Sequence, residues 1–204
     1  MSWFVGSILL ACEVAEDAPP PAPHADSAGP SGQVTLGGKG LSLTFEGEAP
    51  TNVIVYQVDT LRRDRLPWHG GPHDTYPTLT AMEEHLAVVD LNFTIGSWTI
   101  PSSASQFSGL DQPRTRMVTF ANRGVDSGAV LGPGTVNEVF QAAGYSTALI
   151  TGNGLLSDEN GFWQGVDHAE VVLDEPNNSG ALARATDAWL ATVPPETSFY
   201  LHLQ

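Results

Sequence analysis

Val53-Ile54-Val55-Tyr56-Gln57-Val58 is a near-continuous apolar and β-branched run, closed by Asp59. Such a run marks a strand covered on both faces rather than one with a wet side. Residues 146–151 (STALIT) and 199–203 (FYLHL) predict two more strands, and residues 88–95 a further one. Between them the period changes from two to about three and a half. In residues 78–88, Leu79, Met82 and Leu86 share a helix face, with Thr80 and Glu83 spaced as a capping box. Residues 101–107 predict a short helix with Pro101 in its first turn and Gly109 past its end. Thr135 and Glu138 open another, which stops at Gly144. Residues 179–193 are amphipathic, with Leu182, Ala185, Trp189 and Leu190 on the inward face. Residues 33–46 alternate weakly around Gly37-Gly38, which predicts two short edge strands and a turn. Strands alternating with helices predict an α/β fold, a mostly parallel sheet with helices on both faces. No repeat of fixed period interrupts this reading.

The first 32 residues follow a different grammar. Residues 1–11 (MSWFVGSILLA) carry no charge, and the chain's single cysteine, Cys12, follows at once. Leu9-Leu10-Ala11-Cys12 resembles a bacterial lipobox, in which the cysteine becomes the lipidated first residue of the mature chain. The expectation is a signal segment over residues 1–12 and a lipid on Cys12. The protein would then be exported to the bacterial cell envelope and held at the membrane by that anchor. The plainer alternative is a short buried helix or strand with an ordinary core cysteine. No Lys or Arg precedes the apolar run. Residues 13–32 are rich in Pro, Ala, Ser and acidic side chains, a composition that cannot offset its ordering entropy by burial. They predict a disordered, semi-extended tether, stiffened by Pro19-Pro20-Pro21. The folded domain is expected over residues 33–204.

Composition removes several function classes. With 8 Lys+Arg against 23 Asp+Glu, the net charge of −15 argues against nucleic acid as a partner. One cysteine among 204 residues excludes an internal disulfide framework and a Cys-rich zinc module. No apolar run reaches the roughly 18 residues of a membrane span. A buried strand at residues 199–203 is expected to lead into functional loops, so the sequence reads as the first part of a longer protein.

In parallel sheets ligands sit beyond the carboxyl ends of the strands, which directs attention to Asp59 and to Gly152-Asn153. Asp59 there suits a hard divalent cation, and equally suits a turn cap acting through Thr60 and Leu61. Ser97-Trp98-Thr99-Ile100-Pro101-Ser102-Ser103 gathers hydroxyls at a helix start, where free N–H groups and the helix dipole favour an anion. Plain N-capping is the commoner use of such residues. Arg62, Arg63 and Arg65 can pair with Asp59, contact an anion, or form salt bridges in the first turn after the strand. His69, His73 and the Asp167-His168 pair read as loop residues.

These segments together resemble the N-terminal half of the sulfatase/alkaline phosphatase superfamily. Residues 52–66 (NVIVYQVDTLRRDRL) resemble its opening strand and metal-binding Asp, and residues 76–80 (YPTLT) the start of its next helix. SWTIPSSASQFSGL over residues 97–110 is similar to its S-W-T-L-P-S-H-A-S-L-L-T-G-L segment. TVNEVFQAAGYSTA, GFWQGVD and FYLHLQ resemble three further segments in the same order. The resemblance implies an alkaline phosphatase-like α/β fold and hydrolysis or transfer of phosphate or sulfate esters of small molecules or polymers. It implies a divalent cation (Ca, Mg, Mn or Zn) on Asp59 and Thr99, with Thr99 as nucleophile. Ser102 and Ser103 fall where the substrate anion would bind. True sulfatases carry a formylglycine made from Cys or Ser at the nucleophile position. Threonine has a methyl on Cβ and cannot yield that aldehyde, so Thr99 points to phosphoryl transfer. Two departures are visible: Ser103 stands where members often have Arg or His, and Thr60 where tandem-Asp members have a second acid. The rival reading is an inactive surface lipoprotein or binding module, or a fragment, that keeps the fold.

Overall fold

A computed structural model describes residues 6–10, 33–36, 41–44, 52–73, 76–83, 86, 88, 92–117, 131–173 and 179–204. In chain order the elements are β1 (Gly6–Leu10), β2 (Gln33–Leu36), β3 (Leu41–Thr44), β4 (Val53–Val58), α1 (Pro77–Ala81) and α2 (Thr99–Ser108). They continue as α3 (Gln112–Thr115), α4 (Val136–Ala142), β5 (Ser146–Thr151), β6 (His168–Val171), α5 (Ser179–Leu190) and β7 (Phe199–Leu203).

The apolar runs form the sheet. Its order is β1-β4-β7-β5-β6, with β4, β7, β5 and β6 parallel and β1 antiparallel on the outer side of β4. The last strand in sequence, β7, therefore lies between β4 and β5. Tyr56 pairs with Leu203, and Ile150 with Leu203 from the other side, so β5 runs on to Thr151 and β4 to Val58 beyond the end of β7. β2 and β3 form a separate antiparallel pair, as the weak alternation predicts. Gly6–Leu10, inside the segment read as an export signal, runs beside β4 as the edge strand. Cys12 and residues 13–32 lie outside the described residues.

Side chains alternate across the sheet and sort the helices. On one face Leu149 packs with Ile100, Ala104 and Phe107 of α2, and with Met117, Leu131, Leu156 and Phe162. Tyr200 stacks on Phe140 of α4, with ring centroids 4.3 Å apart, on the same side. On the other face Ala148, Ile150 and Leu201 pack with Ala185 and Trp189 of α5. Helices thus cover both faces, as expected. Each buried large apolar side chain contributes roughly 1.5–3 kcal/mol, so Ile100 and Phe107 hold α2 firmly against the sheet.

Three local expectations change. Within the helix read over residues 78–88 the described α-helix is the short α1, Thr80 lies inside it, and residues 84, 85 and 87 lie outside the described residues. The Thr80 hydroxyl donates to the Tyr76 carbonyl at 3.1 Å instead of forming a capping box with Glu83. Residues 92–95 carry no strand, and residues 89–91 of the strand expected there lie outside the described residues. The helix expected from Pro101 begins two residues earlier, at Thr99, because Trp98 already has extended cap geometry. The Thr135/Glu138 capping box forms as expected: the Thr135 hydroxyl accepts from the Glu138 N–H, and the Glu138 carboxylate accepts from the Thr135 N–H at 2.8 Å.

Candidate functional site

Every second residue of β4 faces α2, so Gln57 and then Asp59 point to that side. Directly after Asp59 the backbone turns through Thr60 at φ 58°, a left-handed conformation that a β-branched residue rarely adopts. This turn leaves Asp59 half-buried at the carboxyl end of β4 while Leu61 re-enters the core.

The start of α2 approaches from above. Gly96 permits this, because a Cβ there would lie 2.7 Å from the Pro101 ring. Trp98 provides no side-chain cap, and the Thr99 hydroxyl donates to Asp59 Oδ2 at 2.9 Å. Thr99 is therefore not spent on capping. Its N–H and that of Ile100 have no acceptor within the helix, and Pro101 has no N–H, which leaves a small donor pair at this end. Ser102 and Ser103 turn inward. Ser102 Oγ donates to the Gly96 carbonyl at 2.8 Å and pairs with Thr94 Oγ1 at 2.8 Å. Ser103 is fully buried, and its hydroxyl has no partner among the described residues. Neither hydroxyl is presented at the surface where an anion would arrive.

A third strand end completes the cluster. Asn153, two residues past β5, donates from Nδ2 to Asp59 Oδ2 at 3.1 Å. Its own Oδ1 accepts from the Leu155 N–H at 3.0 Å, and its N–H donates to Thr151 Oγ1 at 2.9 Å. Sequence reasoning pointed to Gly152-Asn153 only as a strand end and gave Asn153 no role. The contact joins residues 94 positions apart, so only tertiary structure shows it. Beneath this layer His202 Nε2 donates to Gln57 Oε1 at 3.1 Å, and the His202 ring lies against Phe107. Complete burial pushes the imidazole down to about 3, so the ring is neutral.

Asp59 offers oxygen to a cation, and among the described residues Oδ1 receives no hydrogen bond. With Thr99 Oγ1 it makes a hard donor pair that fits a divalent cation of the oxygen-seeking kind. Among the described residues no group of three or more His, Cys, Asp or Glu comes together, so these two would supply only part of a cation's ligands. Arg62 is bound to Asp64 through two hydrogen bonds of 2.9 and 2.6 Å, the salt bridge that was the alternative to pairing with Asp59. His69 closes a short 3-10 turn, and His73 is exposed. Asp167 is structural. Burial pushes its carboxyl up, but the Thr147 N–H at 3.0 Å, the Gln141 amide and the Thr147 hydroxyl outweigh it and hold it low.

One comparison with known proteins agrees with the fold. A family model described as Sulfatase matches residues 51–190, which include Asp59, Thr99 and Asn153. No curated protein and no solved structure matches the chain. A match over more than half of the sequence, on the strands and helix that converge at Asp59, shows that the chain belongs to the sulfatase family and so to a superfamily of hydrolases whose members generally use divalent metals.

Proposed function

We propose that this protein hydrolyses or transfers phosphate esters through a covalent intermediate on Thr99. The observation that supports the reading most is the 2.9 Å hydrogen bond from the Thr99 hydroxyl to Asp59 Oδ2. Trp98 holds the cap position of α2 and Thr99 is its first helical residue, so the Thr99 hydroxyl has no capping role. Here the hydroxyl instead meets a carboxylate at the ligand-binding edge of a parallel sheet.

Thr99 Oγ1 attacks phosphorus, and its proton is passed along the existing hydrogen bond to Asp59 Oδ2. The bond from phosphorus to the ester oxygen breaks, and the leaving oxygen departs with its electron pair. This leaves a phosphothreonine, which water then cleaves to regenerate the hydroxyl. The Thr99 N–H at the start of α2 binds a phosphoryl oxygen as charge grows on it. Asp59 and Thr99 would hold a divalent cation, which when bound supplies positive charge to the hydroxyl and to the phosphoryl group. Sulfate esters are the poorer substrates in this reading, since Thr99 cannot supply the aldehyde hydrate used for sulfate cleavage in the family.

The same reading places the protein on the cell envelope. Cys12 carries the lipid as the first residue of the mature chain, so processing removes β1 (Gly6–Leu10) and leaves β4 as the edge of the mature sheet, with residues 13–32 linking the anchor to the catalytic domain. One acyl chain gives only marginal binding, so the anchor requires the multi-chain lipoprotein modification.

The reading is tested by offering the full-length protein matched aryl phosphate monoester, phosphodiester and sulfate substrates with Mg, Mn, Ca or Zn. The expected result is a metal-dependent preference for a phosphate ester, abolished by Thr99→Ala and partly kept by Thr99→Ser. A preference for the sulfate ester would overturn the reaction class. Absence of any turnover, with the metal bound, would favour an inactive binding module.

A further inference from the structure

We infer that Asn153 is a positioning residue for this site, acting on Asp59 rather than on the substrate. The inference rests on the reading of Asp59 and Thr99 given above. Asp59 Oδ2 receives two donors, the Thr99 hydroxyl at 2.9 Å and the Asn153 amide at 3.1 Å. Two donors on one oxygen fix the plane of the carboxylate. They also divide the work of its oxygens: Oδ2 faces the nucleophile, and Oδ1 is left for a cation.

Asn153 is built to do this. A side-chain amide can present either its oxygen or its nitrogen, and the wrong end here would set oxygen against oxygen. The Leu155 N–H holds Asn153 Oδ1 at 3.0 Å, so the NH2 group is the end that reaches Asp59. The backbone of Asn153 is held in turn by Thr151 Oγ1 at 2.9 Å, and Thr151 Oγ1 reaches Gln204 Oε1 at 3.4 Å on the neighbouring strand. The chain of contacts runs from β7 through β5 to the end of β4 and so to α2. A lysine in this place would reach the site with a mobile point charge; the asparagine brings an oriented neutral donor. It therefore steadies the carboxylate without competing with a cation for it.

The test uses two substitutions in the full chain. Asn153→Asp keeps the oxygen that accepts from Leu155 but replaces the donor with a second carboxylate oxygen. Asn153→Ala removes both. Each should lower kcat roughly 10- to 100-fold, the scale of one hydrogen bond to a charged group, with KM within about twofold. A rise in KM with kcat kept would make Asn153 a substrate contact and overturn the inference, as would an unchanged kcat. An activity-free readout separates this from the functional reading. The side-chain amide resonance of Asn153, followed by 15N NMR, should move and lose exchange protection in Asp59→Ala. If that resonance is unmoved, the inference fails even where the enzyme is active. If it moves but no ester is turned over, the functional reading fails and the inferred contact stands.

Discussion

Lowering the pH from 7 to 5 offers a proton to His202 in the unfolded chain but not in the folded one. In the unfolded chain its imidazole titrates near 6.5, whereas burial pushes the folded group down to about 3. Below pH 6.5 the unfolded state therefore binds a proton that the native state refuses. Stability falls by about 1.4 kcal/mol per pH unit until the folded group titrates as well. Between pH 7 and pH 5 the loss from this residue is about 2 kcal/mol, and it approaches about 5 kcal/mol near pH 3. That is a large share of the roughly 5–15 kcal/mol that holds a domain folded. The carboxylates held low, Asp64, Glu138 and Asp167, lose their contribution only lower down, as the pH falls through the carboxylate range, so the window from 7 to 5 separates His202 from them. The measurement is urea unfolding at pH 7, 6 and 5 for the wild type and for His202→Leu combined with Gln57→Leu. Replacing both partners avoids stranding the Gln57 oxygen that now accepts from His202 at 3.1 Å. The double variant should lose about 2 kcal/mol less than the wild type over this range. Equal losses in both proteins would refute the claim that His202 is folded as a buried neutral ring.

Other perturbations follow from single positions. Thr60→Gly should raise stability by about 0.5–1 kcal/mol, read as a higher Tm, since Thr60 sits at φ 58° where an L side chain is strained. Gly165→Ala should cost about 3 kcal/mol or more in urea unfolding. Its φ is 71°, and a Cβ would lie 2.3 Å from the Glu138 nitrogen, a backbone atom that α4 cannot move aside. Cys12→Ser should shift the protein from the membrane fraction to the soluble one; unchanged fractionation, with no lipid on the wild type, would dismiss the anchor.

The frame of the fold was legible because it is written in local patterns. β4, β5 and β7 are apolar runs, and α5 shows its inward stripe through Leu182, Ala185 and Trp189. Thr135 and Glu138 give a cap that is complete within four residues. β6 was not legible: His168–Val171 is four half-buried residues on the far edge of the sheet, too short for a period to stand out. Residues 78–88 have helical spacing; among the described residues the α-helix covers Pro77–Ala81, and residues 84, 85 and 87 lie outside the described residues. At the site, Asp59 and Thr99 could be named from strand end, helix start and family resemblance. Ser102 and Ser103 look like surface hydroxyls in the sequence, yet the rotation of α2 turns them toward Gly96 and the core. Asn153 depended on a contact across 94 residues, which no local pattern encodes.

The central claim is that Thr99 forms a covalent bond to phosphorus, and acid-quenching the full-length enzyme during turnover of a phosphate ester tests it most directly. Peptide mapping by mass spectrometry should find the phosphoryl group on Thr99, and Thr99→Ala should carry none. A phosphoryl group on Ser97, Ser102 or Ser103 would contradict the assignment of the nucleophile, and turnover without any adduct would contradict the covalent route.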